Sequence, residues 1–196
     1  MFVYKSFVYE YILNTTGVVT VSGDSFGAPG HIRISYAASD DIIIKAIPIV
    51  LKSIPAAKFI FLWHAGSKIQ IERISKLVST LKVVSSIKMV GKINYKKLPV
   101  YYNLSDVFVS ISSNDSTPMS LLEAMACGVP PITANHPAIN EKITDGYNGY
   151  VVPQRDKDAT AKAIVRLLTN KKIRTVFSKR NLKWVRENAD WDKNIR

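Results

Sequence analysis

Cysteine is almost absent, since Cys127 is the only one in 196 residues. One thiol cannot build a disulfide framework, and it cannot supply the paired thiolates of a structural zinc site. It fits a reducing, cytoplasmic setting. Long apolar runs are missing too: no stretch approaches the roughly 18 uninterrupted residues that a membrane-spanning helix needs. The opening MFVYKSFVYEYILNTTG carries Lys5 and Glu10 inside it and has no basic start, so it does not read as a secretory signal. No cluster of His, Asp and Glu has metal-ligand spacing, and no metal is expected. Zinc-finger, RNP and basic-zipper patterns are also absent, which argues against a nucleic-acid partner.

Acidic side chains are scarce, 15 against 27 Lys and Arg, for a net charge of +12. The excess is uneven. Residues 58–97 hold nine basic side chains and one acidic, and residues 160–196 hold eleven and three. Such a surface attracts anionic lipid headgroups or phosphorylated small molecules, or it is simply a solvated charged face. In the second window Lys171, Lys172, Arg174, Lys179, Arg180, Lys183 and Arg186 surround Phe177, Leu182 and Trp184 on a helical stretch. That pattern suggests peripheral contact with an anionic membrane.

What is present is a globular composition, 47% apolar and 10% aromatic, in a chain long enough for one domain with an appendage. Apolar runs alternate with helical periodicities. Strands are expected at 58–63, 87–90, 106–111, 131–134 and 149–152. Helices are expected at 41–54, 69–81, 98–104, 119–126, 159–168 and 173–187. This alternation predicts an α/β fold, a Rossmann-like parallel sheet with helices on both faces. Gly128 followed by Val129-Pro130 is a helix stop, with the glycine at the left-handed position. Ligands of such sheets lie at the carboxyl ends of the strands, which points to the polar loop 112–118.

That loop opens the spacing Asp115-x7-Glu123. The unpaired NH groups at the start of the following helix, around Thr117–Ser120, suit a pyrophosphate or a sugar oxygen. Two carboxylates flanking them would hold hydroxyl groups at either end of a nucleotide sugar. Spacing alone suits equally well a plain reading, in which Asp115 caps the helix and Glu123 is solvated or ion-paired.

The run SNDSTPMSLLEAMACGVPPITA, the later EKITDGYNGYVVP and the earlier KKLPVYYNLSDVFVS resemble, in order, the signature of family 4 retaining glycosyltransferases. The resemblance covers roughly residues 42–192. It implies the C-terminal, donor-binding half of a two-domain enzyme that transfers a hexose from a nucleotide sugar. It implies that Glu123 accepts hydrogen bonds from the ribose hydroxyls and that the catalytic Asp115 sits beside the transferred sugar. The backbone at Thr117, Pro118 and Met119 would meet sugar or phosphate oxygens, Pro118 through its carbonyl alone. Lys92 and Ile93 match the segment that reads the base through its backbone. Neither metal nor cofactor is implied, and an acceptor-binding domain or chain is the implied partner.

Residues 11–47 depart from that pattern. SGDSFGAPGHIRISYA resembles instead the C-terminal segment of class I aminotransferases of the aspartate type, in which the arginine of RISYA, here Arg33, binds the substrate carboxylate. A gapless alignment to the glycosyltransferase pattern also puts Arg33 at its diphosphate arginine, but it leaves Ala38 where a lysine belongs. The glycine pair expected near the diphosphate is replaced by His136-Pro137, whose bulk would crowd a donor. The expected organisation is a 1–41 aminotransferase-like segment followed by a 42–196 glycosyltransferase domain. Three further readings stay open: an inactive nucleotide-binding module, a basic surface adaptor and, least favoured, an aminotransferase fragment.

Overall fold

The computed structural model describes residues 19–22, 32–35, 40–62, 68–91, 93–111 and 119–189. The element order is β1 (Val19–Ser22), β2 (Ile32–Ser35), α1 (Asp40–Ser53), β3 (Phe59–Leu62), α2 (Lys68–Thr80), β4 (Ile87–Val90), α3 (Leu98–Asn103), β5 (Phe108–Ser110), α4 (Met119–Ala126), β6 (Pro131–Ala134), α5 (Pro137–Asn140), β7 (Tyr150–Val152), α6 (Lys157–Thr169) and α7 (Lys171–Asn188). From α1 onward strands and helices alternate, and every strand pair in that region is parallel. The α/β class follows from the sequence pattern.

The parallel strands form two sheets, β3–β4 and β5–β6–β7, where the sequence predicts one. Strands β1 and β2 form a separate antiparallel ribbon, with Arg33 opposite Val21. Strands β3 and β5 are therefore both edges among the described residues, and both line one cavity of about 780 Å³. Its floor includes Ile43, Ile164 and Leu168. The edge position leaves a mark on burial. Ile60 and Leu62 of β3 are 41% and 37% exposed, whereas every residue of the doubly paired β6 is buried. Parallel strands are ordinarily covered on both faces, and among the described residues one face of β3 is left partly open.

Strand alternation splits the core into layers. Val109, Ile132 and Tyr150 stand in register across β5–β6–β7, and they pack with Ala134 and Val152 against α1 and α6. Phe108 and Val151 point the other way, into the layer formed by Leu121 and Met125 of α4, Ile139, Ile143 and Trp184. Phe59 and Phe61 of β3 meet Ile44 and Ile47 of α1 and Ile74 and Val78 of α2.

The helix ends follow local chemistry. Asp156 caps α6, its side chain accepting from the backbone NH groups of Asp158 and Ala159 at 2.9 and 2.8 Å. Gly128 adopts φ +73° just past α4, the left-handed stop that its sequence position predicts. The DG-x-NG run builds a turn that seats β7. Asp145 accepts from the Val151 NH at 2.9 Å, Asn148 accepts from the Thr144 NH at 2.8 Å, and Asn181 of α7 donates to the Asn148 carbonyl at 2.9 Å.

Candidate functional site

Two strand exits converge on α4. After β4 and Gly91 the chain passes Ile93 and makes a 3-10 turn, Tyr95–Lys97, begun by Asn94, whose side chain accepts from the Lys96 NH at 3.0 Å. It then runs through α3 to β5, and α4 follows β5. Glu123 sits one turn inside α4. Its Oε2 accepts the Tyr102 hydroxyl of α3 at 2.9 Å. Tyr102 is buried, its ring edge-on to Phe108 at 6.1 Å between centroids and packed with Ala124 and Val129.

The electrostatics tie a second phenol to this carboxylate. Burial, and then the hydrogen bond and charge of Glu123, hold the Tyr102 phenol well above the ordinary tyrosine range. The exposed phenol of Tyr95 is raised as well, first by the Glu123 charge and then by hydrogen bonding to it. Burial followed by the same charge raises the Cys127 thiol, so it stays protonated. Cys127 is half-buried beside the end of α4, a little more open than a core cysteine. Glu123 is thus a carboxylate with two neutral phenols against it, reached from the carboxyl ends of β4 and β5. Neither tyrosine was singled out in the sequence. The signal lay in KKLPVYYNLSDVFVS, where the periodicity marks a helix without showing that Tyr102 faces α4.

Of the residues singled out from the sequence, the structure describes Glu123, Met119, Ile93 and the backbone of Arg33. Met119 is the first residue of α4, and its side chain is 63% exposed. Ile93 lies on the approach from β4 to Tyr95. Arg33 lies in the β1–β2 ribbon, which among the described residues shares no ladder with the parallel sheets. Asp115, Thr117, Pro118 and Lys92 lie outside the described residues. His136 and Pro137 begin the short α5, with His136 in extended backbone (φ −148°), so no glycine conformation is used there. Among the described residues, no group of three His, Cys, Asp or Glu is arranged to hold a metal ion.

Comparison with known proteins decides the family. The model of glycosyl transferases group 1 matches residues 33–184. The chain belongs to that family. The match takes in the strand that carries Arg33 as well as the region from 42 onward. Among curated relatives of this group 1 glycosyltransferase domain is the GDP-mannose-dependent alpha-(1-6)-phosphatidylinositol monomannoside mannosyltransferase of Mycolicibacterium smegmatis, 25% identical over 166 residues. That alignment covers 81% of this chain and 43% of the relative. Among solved structures, sucrose-phosphate synthase from Thermosynechococcus elongatus superposes with a TM-score of 0.70 at 24% identity, over 78% of this chain and 39% of that one. Anabaena Alr3699/HepE in complex with UDP and glucose gives 0.67 at 16% identity, over 75% of this chain and 40% of that one. These two likenesses establish the fold. The chain spans less than half the length of the curated relatives it matches.

Proposed function

We propose that this chain is the donor-binding half of a retaining, family 4 glycosyltransferase, which takes a nucleotide sugar and passes its hexose to an acceptor held by another domain or chain. The observation that carries this reading is the Glu123 carboxylate, fixed by Tyr102 at the meeting of two strand exits. An ionised carboxylate there accepts the vicinal hydroxyls of a ribose in charge-assisted hydrogen bonds. Lys92 and Ile93 then border the base, and the backbone at Thr117, Pro118 and Met119 borders the sugar and phosphates. The start of α4 contributes a positive dipole end to the departing diphosphate. Asp115 stands beside the transferred sugar, and Arg33 is the cation proposed for the diphosphate. No metal or other cofactor has a step in this scheme. The relatives support the substrate class: one is named for GDP-mannose, and one structure holds UDP and glucose. No transamination is proposed for residues 11–47.

A second reading, a nucleotide-binding module without turnover, is favoured by two observations. Arg33 belongs to a ribbon outside the parallel sheets, and His136-Pro137 occupies the position where a close backbone approach is wanted. Proton NMR of sugar release from UDP-glucose and GDP-mannose separates the readings. Retaining chemistry releases the α-anomer first. A β-anomer first contradicts retention, and tight binding without release even when an acceptor-binding domain is supplied selects the module.

A further inference from the structure

We propose that Tyr102 is a positioning residue for Glu123, and that it gives the site its preference for ribonucleoside over deoxyribonucleoside diphosphates. The inference rests on the reading of Glu123 as the ribose ligand and adds the residue that makes that ligand selective. A glutamate in the second turn of a helix has three rotatable bonds, and ordering them on binding costs entropy. Here the Tyr102 hydroxyl donates to Oε2 at 2.9 Å. The ring behind that hydroxyl is itself tightly packed. It is only 7% exposed, lies edge-on to Phe108, and packs on Ala124, the residue after Glu123, and on Val129 just beyond α4. Tyr102 and Glu123 are therefore braced against each other through α3, α4 and the first residue of β5.

A carboxylate offers about four lone-pair positions. The Tyr102 phenol takes one of them and fixes the plane of the group, Tyr95 hydrogen-bonds the same carboxylate from its exposed side, and two positions remain for the vicinal hydroxyl donors. Because burial and Glu123 hold the phenol well above its ordinary range, it remains a donor at neutral pH. It can orient the carboxylate but cannot take a proton from the substrate. A ribose meets a carboxylate already in place. A 2′- or 3′-deoxyribose leaves part of that oriented acceptor without a partner, and a desolvated acceptor left unpaired is what produces discrimination.

The test is calorimetric binding of UDP and GDP and of their 2′-deoxy and 3′-deoxy counterparts to the whole chain and to three variants. The unaltered chain should prefer the ribonucleotides by about tenfold or more, the range of a hydrogen bond to a charged group. Tyr102→Phe removes one oxygen and keeps the ring packing, and its preference should fall to roughly threefold or less through weaker ribonucleotide binding. Phe108→Leu loosens the ring but keeps the phenol, and should keep the preference. An unchanged preference in Tyr102→Phe overturns the inference and leaves the site intact. Equal collapse in Phe108→Leu overturns it as well, by assigning the effect to packing. Failure of the unaltered chain to bind, or binding unmoved by Glu123→Gln, overturns the reading of the site itself.

Discussion

Tyr102 titrates in a direction that can be read in stability as well as in binding. Its folded pKa lies above the ordinary value near 10, chiefly through burial and then through Glu123. Below about pH 10 both folded and unfolded chains keep the phenolic proton, and the contribution of this group is complete. Above that, the unfolded chain releases a proton that the folded chain retains, so stability falls as pH rises. The unaltered protein should therefore lose stability above about pH 10 more steeply than Tyr102→Phe, in urea unfolding followed across pH. Parallel slopes would contradict the assignment. Gly128 gives a second residue-scale expectation. Its φ of +73° is strained for any other residue, and a Cβ there would stand 2.7 Å from Ser178 Oγ. Gly128→Ala should cost about 1–2 kcal/mol, whereas Gly91→Ala, with open space around it, should cost far less in the same measurement. The glycine stop was legible in the sequence because its cause is local. The Tyr102–Glu123 bond was not, because it joins residues 21 apart through the packing of two helices.

Among the elements, those with a strong period were the most legible. The strands at 87–90 and 131–134 and the helix at 119–126 have the extents expected of them, and the long helices differ by a residue or two at their ends. The short α5 and the 3-10 turns were not foreseen, since three or four residues carry no period. The division of the sheet was also not foreseen. Periodicity says that a segment is a strand but not which strand it pairs with. Strand β6, paired on both sides, should protect its amides from exchange more than about tenfold better than β3 or β5, which have one neighbour each among the described residues. Equal protection across the three, measured by hydrogen exchange, would show that the slot between β3 and β5 is filled in solution. In the last helix Phe177 is buried against Tyr150 and Trp184 packs with Leu121 and Met125, whereas Val176 stays exposed.

For the molecule as a whole, the positive charge is partly structural. Arg174 donates to the Leu167 and Leu168 carbonyls at 2.6 and 2.7 Å, closing the end of α6, and pairs with Asp106 at 3.3 Å. Arg180 stacks on Tyr147 at 4.0 Å and donates to its carbonyl. Lysines such as Lys171, Lys172 and Lys179 are left on the exposed side. With Phe177 and Trp184 of this helix packed inward, contact with anionic vesicles should be mainly electrostatic. It should fade between about 0.01 and 0.15 M salt, as the screening length shrinks from roughly 30 to 8 Å. Co-sedimentation that survives 0.15 M salt would contradict this. A donor held by Glu123 should behave differently, because a partly enclosed, hydrogen-bonded site is screened far less.

The contrast in salt dependence defines the most direct measurement of the central claim, titration calorimetry of the chain with UDP, GDP and their sugar conjugates at low and physiological salt. Binding of at least one nucleotide should be saturable, persist at physiological salt and weaken by about 1–3 kcal/mol in Glu123→Ala, the range of a lost charge-assisted hydrogen bond. Binding that vanishes with salt, or that is indifferent to Glu123→Ala, would contradict that claim.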